Sequence, residues 1–174
     1  NPIINTIILD GEKAKKYKKV ILDIISLKEK SAYVESDIKN DIEMVRSFYK
    51  SLGYYAAEVE ARSQPIGTDT KRLNLIFSIN KGEKYKISKI SFIGDKKVKY
   101  KRLRDVIVSE EHRFWKVISK NVYLNAERIE LDKRLLKNYY LSKGYYNVEV
   151  VSSSAESKGK TDIEITYSIN AGER

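Results

Sequence analysis

Cysteine is absent from the 174 residues and histidine occurs once. Without a thiol the chain builds no disulfide scaffold, carries no cysteine nucleophile and offers no thiolate to zinc, though the compartment stays open. A single histidine, His112, makes neither a metal site nor a nucleophile–base pair alone, so a solvent-exposed ring is expected. No glycine-rich phosphate loop occurs. No apolar run approaches the roughly 20 residues that span a bilayer as a helix, and no signal peptide is visible. The chain opens on Asn1-Pro2-Ile3-Ile4, already inside a strand pattern, which reads as the cut end of a longer protein. The expectation is a non-enzyme with no catalytic, cofactor-binding or metal-binding residues.

What is present reads as folded: 41% of the residues are hydrophobic and 33% charged. The formal charge of +10 invites a nucleic acid or an anionic membrane as partner. Lysine is abundant together with isoleucine, asparagine and tyrosine, so a lysine-rich composition accounts for the charge without any partner. A nucleic-acid surface would need basic side chains interleaved with exposed aromatics. The repeated tyrosines fall instead at helix-cap and core spacings, and no nucleic-acid partner is expected.

One unit occurs twice. Tyr49-x-x-x-Gly53-Tyr54-Tyr55 returns as Tyr140-x-x-x-Gly144-Tyr145-Tyr146. Asp41 returns as Asp132, Glu58-Val59 as Glu149-Val150, and Ser78-Ile79-Asn80-x-Gly82-Glu83 as Ser168-Ile169-Asn170-x-Gly172-Glu173. Upstream, Ile4-x-x-Ile7-x-Leu9-x-Gly11 matches Ile87-x-x-Ile90-x-Phe92-x-Gly94, with about eight more residues between strand and second helix in the second copy. A period of roughly 85–90 residues exceeds a solenoid unit and suits small domains in tandem. The expected domains are residues 1–83 and 84–174. Six residues separate the last strand of one from the first strand of the next, and Gly82 is the expected interdomain hinge.

Each copy reads strand, helix, helix, strand, strand. Ile7, Leu9 and Gly11 alternate along the first strand, as do Ile90, Phe92 and Gly94. Val20, Ile21, Ile24 and Ile25 mark the first helix, Leu103, Val106 and Ile107 its counterpart. Ile38, Met44, Val45, Phe48, Tyr49 and Leu52 share one face of the second helix; Ile129, Leu135, Leu136, Tyr139 and Tyr140 do so in the second copy. Ser36 and Asn125 stand where N-caps are expected. Gly53 and Gly144 are expected to stop these helices in the left-handed conformation, folding Tyr54 back on Tyr49 and Tyr145 on Tyr140. Asp41 and Asp132 supply one carboxylate per copy, too few for paired acid–base work, so bonds to nearby backbone are expected of them.

Ala57, Val59 and Ala61 alternate with Glu58, Glu60 and Arg62 on the second strand; Val148 and Val150 alternate with Asn147 and Glu149. Polar loops are expected at Gln64-Pro65-Ile66-Gly67-Thr68-Asp69 and Ala155-Glu156-Ser157-Lys158-Gly159. The third strands are the clearest, with Leu73, Leu75, Phe77, Ile79 and Ile163, Ile165, Tyr167, Ile169 at every second position. A right-handed crossover puts strand three between the other two. The expected class is α+β: two tandem β-α-α-β-β domains, each a three-stranded mixed sheet of order 1-3-2 covered on one face by two helices.

A unit of this order, with a helix running Phe48-Tyr49 to Gly53-Tyr54 or Tyr139-Tyr140 to Gly144-Tyr145 and a last strand entering Gly-Glu, resembles the POTRA domain. The tandem is most similar to the periplasmic arm of outer-membrane β-barrel assembly factors. Asn1-Pro2-Ile3-Ile4-Asn5-x-Ile7 resembles the opening of that arm's second POTRA domain. Phe92-Ile93-Gly94, Tyr123-x-x-x-x-Arg128-x-x-x-Asp132 and Ala155-Glu156 resemble the third. Asp95-Lys96 departs from the pattern, where asparagine commonly follows Phe-Ile-Gly. The resemblance implies the periplasm of a Gram-negative bacterium, a membrane barrel downstream, and a chaperone-like role. The partners it implies are unfolded outer-membrane proteins and accessory subunits of the barrel assembly machinery. Secretion and translocation transporters and division proteins also carry POTRA units and stand as the alternative parents.

An edge strand with unpaired N–H and C=O groups accepts an extended peptide whatever its side chains, by β-augmentation. The expected peptide-binding edges are Ala57, Glu58, Val59, Glu60, Ala61 and Arg62, and Asn147, Val148, Glu149, Val150, Val151 and Ser152. Their charged residues equally serve to keep an edge from aggregating. Phe114 and Trp115, in the longer part of the second copy, are a candidate partner anchor. Lys96, Lys97, Lys99, Lys101, Arg102 and Arg104 are candidate contacts for an anionic membrane surface or an acidic partner; Lys13, Lys15, Lys16, Lys18 and Lys19 form the matching cluster. A solvated helix start is the plainer reading of both clusters.

Overall fold

The computed structural model describes residues 1–113, 122–157 and 161–174. They form two compact units, one of residues 1–50 and 54–83, the other of residues 51–53 and 84–174. The first runs β1 (Ile3–Asp10), α1 (Lys15–Ile24), α2 (Glu35–Ser51), β2 (Glu58–Ile66) and β3 (Asp69–Asn80). The second runs β4 (Lys86–Ile93), α3 (Tyr100–Val106), α4 (Ala126–Ser142), β5 (Glu149–Glu156) and β6 (Asp162–Asn170).

Both sheets have the expected order, β1-β3-β2 and β4-β6-β5, the first pair parallel and the second antiparallel. The central strands owe their place to apolar residues at every second position, with Ile76 buried as well on the other face of β3. Leu73, Leu75, Phe77 and Ile79 are buried on β3, and Ile163, Ile165, Tyr167 and Ile169 on β6. The parallel partners do not alternate strictly. Pairing skips Asn5 between Ile4 and Thr6, and Ser88 between Ile87 and Lys89. Each skipped residue is a bulge, and it lets Ile4 and Ile7, or Ile87 and Ile90, all point inward across a three-residue step.

The helices close the same face. In the first unit Ile21, Ile25, Val45 and Tyr49 pack with Ile4, Leu75 and Phe77 in one core cluster. Leu103, Leu136 and Tyr140 are fully buried apolar helix residues of the second unit. Burying a side chain of this size removes it from water for about 1.5–3 kcal/mol.

Two local expectations need correction. Helix α2 starts at Glu35, so Ser36 lies inside its first turn, not at its cap. Glu35 and Asp37 place negative charge at the positive end of the helix dipole there. Asn125 does cap α4, accepting the Arg128 N–H at 3.0 Å. The second correction is to the polar loops. Gln64, Pro65 and Ile66 belong to β2 and Asp69 to β3, leaving Gly67-Thr68 as a two-residue turn. Ala155 and Glu156 belong to β5; Lys158 and Gly159 lie outside the described residues. Main-chain pairing extends these arms into solvent, where side-chain polarity carries no strand signal. Pro65 is tolerated because it sits on an edge strand, beside a register shift at Pro65/Ile66.

Candidate edge-strand interface

The chain reaches each edge strand through a helix stop. At the end of α2 the Tyr54 N–H donates to Tyr49 O at 3.0 Å across Gly53, whose φ is +100°. At the end of α4 the Tyr145 N–H donates to Tyr140 O at 3.1 Å and the Gly144 N–H to Leu141 O at 3.0 Å. The ring pairs Tyr49–Tyr54 and Tyr140–Tyr145 meet edge-on, at 6.1 and 5.8 Å. Both are Schellman stops with their apolar contact, as the glycine spacing predicts.

A second device fixes these stops, and sequence reasoning missed it. The Tyr49 hydroxyl donates to Glu12 Oε1 at 2.6 Å, and the Tyr140 hydroxyl donates to Asp95 Oδ2. Each acid also holds its own loop: Glu12 accepts from Ala14 N at 3.1 Å, and Asp95 from Lys97 N at 3.1 Å and Val98 N at 3.3 Å. Both carboxylates are buried. The end of the first strand is thereby tied to the last turn of the second helix. The signal was available, because each acid follows the repeated glycine, Gly11 or Gly94. Those glycines pass over the central strand so closely that a Cβ would lie 2.0 Å from Ile79 O or 2.3 Å from Ile169 O.

Burial opposes the charge of Glu12, but the Tyr49 hydroxyl, the Ala14 N–H and Lys81 outweigh it and leave its pKa below the usual carboxylate range. Tyr49 and Tyr140 are pushed up, by burial first and then by the carboxylate each one faces.

Asp41 and Asp132 bond to backbone as expected. Asp41 accepts from Ser26 N at 2.8 Å, Ser26 Oγ at 2.7 Å and Leu27 N at 3.0 Å. Asp132 accepts from Val108 N at 2.7 Å, Ser109 N and the Tyr167 hydroxyl, the last at 2.6 Å. Burial first, and then Asp132, raise the pKa of Tyr167. These carboxylates organise loops.

The candidate residues fall along β2 and β5, each of which pairs with one strand only among the described residues, except Ala57, Asn147 and Val148, which precede the paired strands that start at Glu58 and Glu149. Ala57 and Val59 face the core while Glu58, Glu60 and Arg62 are exposed; the Arg62 guanidinium reaches Ser78 Oγ at 3.3 Å. On the second unit Val148 is buried, Val150 half-buried, and Asn147 and Glu149 exposed. The two edges differ in protection. Strand β2 carries three charges in its first half and Pro65 near its end. Between Glu149 and Glu156, β5 runs Val150-Val151-Ser152-Ser153-Ser154-Ala155, with neither charge nor proline. Val151 is 61% exposed there. Glu156 accepts the Tyr85 hydroxyl at 2.6 Å and closes the stretch.

The other candidates scatter. Lys97 donates to Gly172 O at 3.0 Å, Arg104 to Ile90 O at 3.2 Å and to Glu111, and Lys96 and Lys101 are exposed. Phe114 and Trp115 lie outside the described residues. His112 is half-buried, contrary to expectation, because its backbone N–H donates to Ile87 O at 2.6 Å and draws it onto β4. Gly82 has φ +67° and donates its N–H to Asn80 Oδ1, a turn that Gly172 and Asn170 repeat.

Comparison with known proteins bears on this geometry. The POTRA family model, described as surface antigen variable number repeat, matches residues 2–82 and again 85–172. The outer membrane protein assembly factor BamA of Buchnera aphidicola is 25% identical over 149 residues, 86% of this chain and 23% of that protein. BamA of Neorickettsia risticii is 23% identical over 175 residues, 100% of this chain and 23% of that protein. The chain thus spans about a quarter of the length of these curated relatives. Among solved structures, POTRA domains 3–5 of Haemophilus influenzae BamA superpose with a TM-score of 0.55 at 16% identity, over 99% of this chain and 67% of that one. POTRA domains 1–2 of Anabaena Omp85 give 0.53 at 13% identity, over 99% and 96%. At such identities the structures speak to the fold alone.

Proposed function

This chain belongs to the POTRA family, and from that premise we propose that it is a periplasmic, non-catalytic scaffold in outer-membrane β-barrel protein assembly. Its two edges receive extended segments of unfolded outer-membrane proteins or of accessory subunits by main-chain pairing. The names of the curated relatives support the process. The observation that carries the mechanism is the bare edge of β5, a run of six residues without charge or proline, four of them exposed, in a molecule otherwise rich in both signs of charge. Unprotected edges of this kind template a further strand. Strand β2, with Glu58, Glu60, Arg62 and Pro65, is the weaker acceptor.

The test is a titration of the isotope-labelled tandem with extended peptides taken from outer-membrane β-strands, read at backbone amides. Shifts should run along Val150–Ala155 and be smaller along Ala57–Arg62. Successive N–H groups of a strand point to opposite sides. One of Ser152→Pro and Ser153→Pro should therefore weaken peptide binding while leaving β5 paired to β6. Amides that stay unmoved on both edges at saturating peptide would sink the augmentation mechanism.

The same reading includes a domain boundary between Glu83 and Lys84, Gly82 as the hinge, and Phe114 and Trp115 as a partner anchor. It also includes Lys96, Lys97, Lys99, Lys101, Arg102 and Arg104 as contacts for anionic groups.

A further inference from the structure

Part of the basic run does not stand alone. The start of α3 and the end of α4 enclose a concavity of about 340 Å³ lined by Lys97, Lys99, Arg102, Lys143 and Arg174. Two tyrosine rings hold three of these cations in place. Lys97 Nζ lies 4.7 Å from the centre of the Tyr145 ring; Arg102 and Lys143 lie 5.8 and 5.5 Å from that of Tyr139. Among the described residues no acidic side chain lines the concavity, and none pairs with these five cations.

The first unit serves as an internal control. At the matching positions Lys97 is replaced by Ala14, Lys143 by Leu52 and Tyr139 by Phe48. There Tyr17 lies edge-on against Phe48, at 5.7 Å. Its counterpart Tyr100 turns instead to Phe92, at 6.1 Å, and the face of Tyr139 is given to Arg102 and Lys143. Lys16 and Lys19 keep a charge at the places of Lys99 and Arg102, so what the second unit alone adds is Lys97 and Lys143 beside the tyrosine rings.

We infer that this concavity binds a phosphoryl group. Five positive charges without a counter-charge exceed what one carboxylate would neutralise. A phosphate monoester carries about −1.5 to −2 and three acceptor oxygens. The mixture suits it: the Arg102 fork takes two oxygens, and the lysines act as point charges around them. The aromatic contacts hold the cations near their bound positions, which lowers the ordering cost of binding. The inference rests on the reading of Lys97, Lys99 and Arg102 as contacts for anionic groups and shares no residue with the edge-strand mechanism.

The test uses the whole tandem at constant ionic strength. Inorganic phosphate is titrated while the ring resonances of Tyr139 and Tyr145 are followed. In parallel, sedimentation with vesicles containing phosphatidic acid, whose headgroup is a phosphate monoester, is compared with pure phosphatidylcholine. The pocket variant is Lys97→Ala with Lys143→Leu, which installs the residues the first unit folds with at these places. The control, Lys16→Gln with Lys19→Gln, removes the same charge from the first unit. Phosphate binding should weaken by about tenfold in the pocket variant and stay unchanged in the control. Vesicle binding lost in the same pattern identifies a lipid headgroup as the source of the phosphoryl group. Vesicle binding equal in both variants, beside a selective loss for phosphate, identifies a free phosphate. The inference is overturned when neither phosphate nor vesicle binding separates the pocket variant from the control.

Discussion

At the scale of single residues, the buried acids after the first strands do work that neither composition nor periodicity announces. Glu12 bonds a tyrosine far along the chain and is nearly sealed from solvent. Its folded pKa lies below its unfolded value, so between the two the unfolded chain holds more protons. Its contribution is complete above the ordinary glutamate range and is lost as pH falls through the folded value. Glu12→Gln should cost about 1–3 kcal/mol at neutral pH. It should also flatten the acid limb of a plot of urea midpoint against pH below the ordinary glutamate value. An acid limb as steep as that of the native chain would assign the pH dependence elsewhere. Glu12 and Asp95 escaped the sequence reading because they differ in type and their tyrosine partners are remote. Asp41 and Asp132 were legible because they match in type and position on the amphipathic second helix of each copy.

At the scale of elements, legibility followed burial. The central strands β3 and β6 were readable to the residue because every second side chain meets the core, and the helix stops because glycine and tyrosine recur together. The outer arms of β2 and β5 were not, since their pairing is made by the main chain and their side chains face water. Ser36 misled for a related reason: a residue type favoured at caps is also common in an acidic first turn. The contrast predicts unequal costs. Asn125→Ala should lower stability by about 1 kcal/mol, and Ser36→Ala should stay within about 0.5 kcal/mol. Urea midpoints of the two variants give the comparison, and equal effects would return Ser36 to the cap.

For the molecule as a whole, two units with separate cores should respond separately to damage. Gly94 is the sharpest probe, with φ +96° and the Ile169 carbonyl where a side chain would go. Gly94→Ala should destabilise its unit by at least about 2 kcal/mol. Native-state hydrogen exchange should then accelerate in residues 84–174 and keep its rates on β1 and β3. Uniform acceleration would mean that both units unfold as one. The bulges at Asn5 and Ser88 have a different consequence, for anyone who would lengthen the tandem by design. Each shifts the reading frame of inside and outside by one residue partway along its strand. Ile3 is left in the open while Ile4 is sealed. A third unit composed by continuing strict alternation would open with its first residues inverted, so the copyist must reproduce the slip along with the pattern.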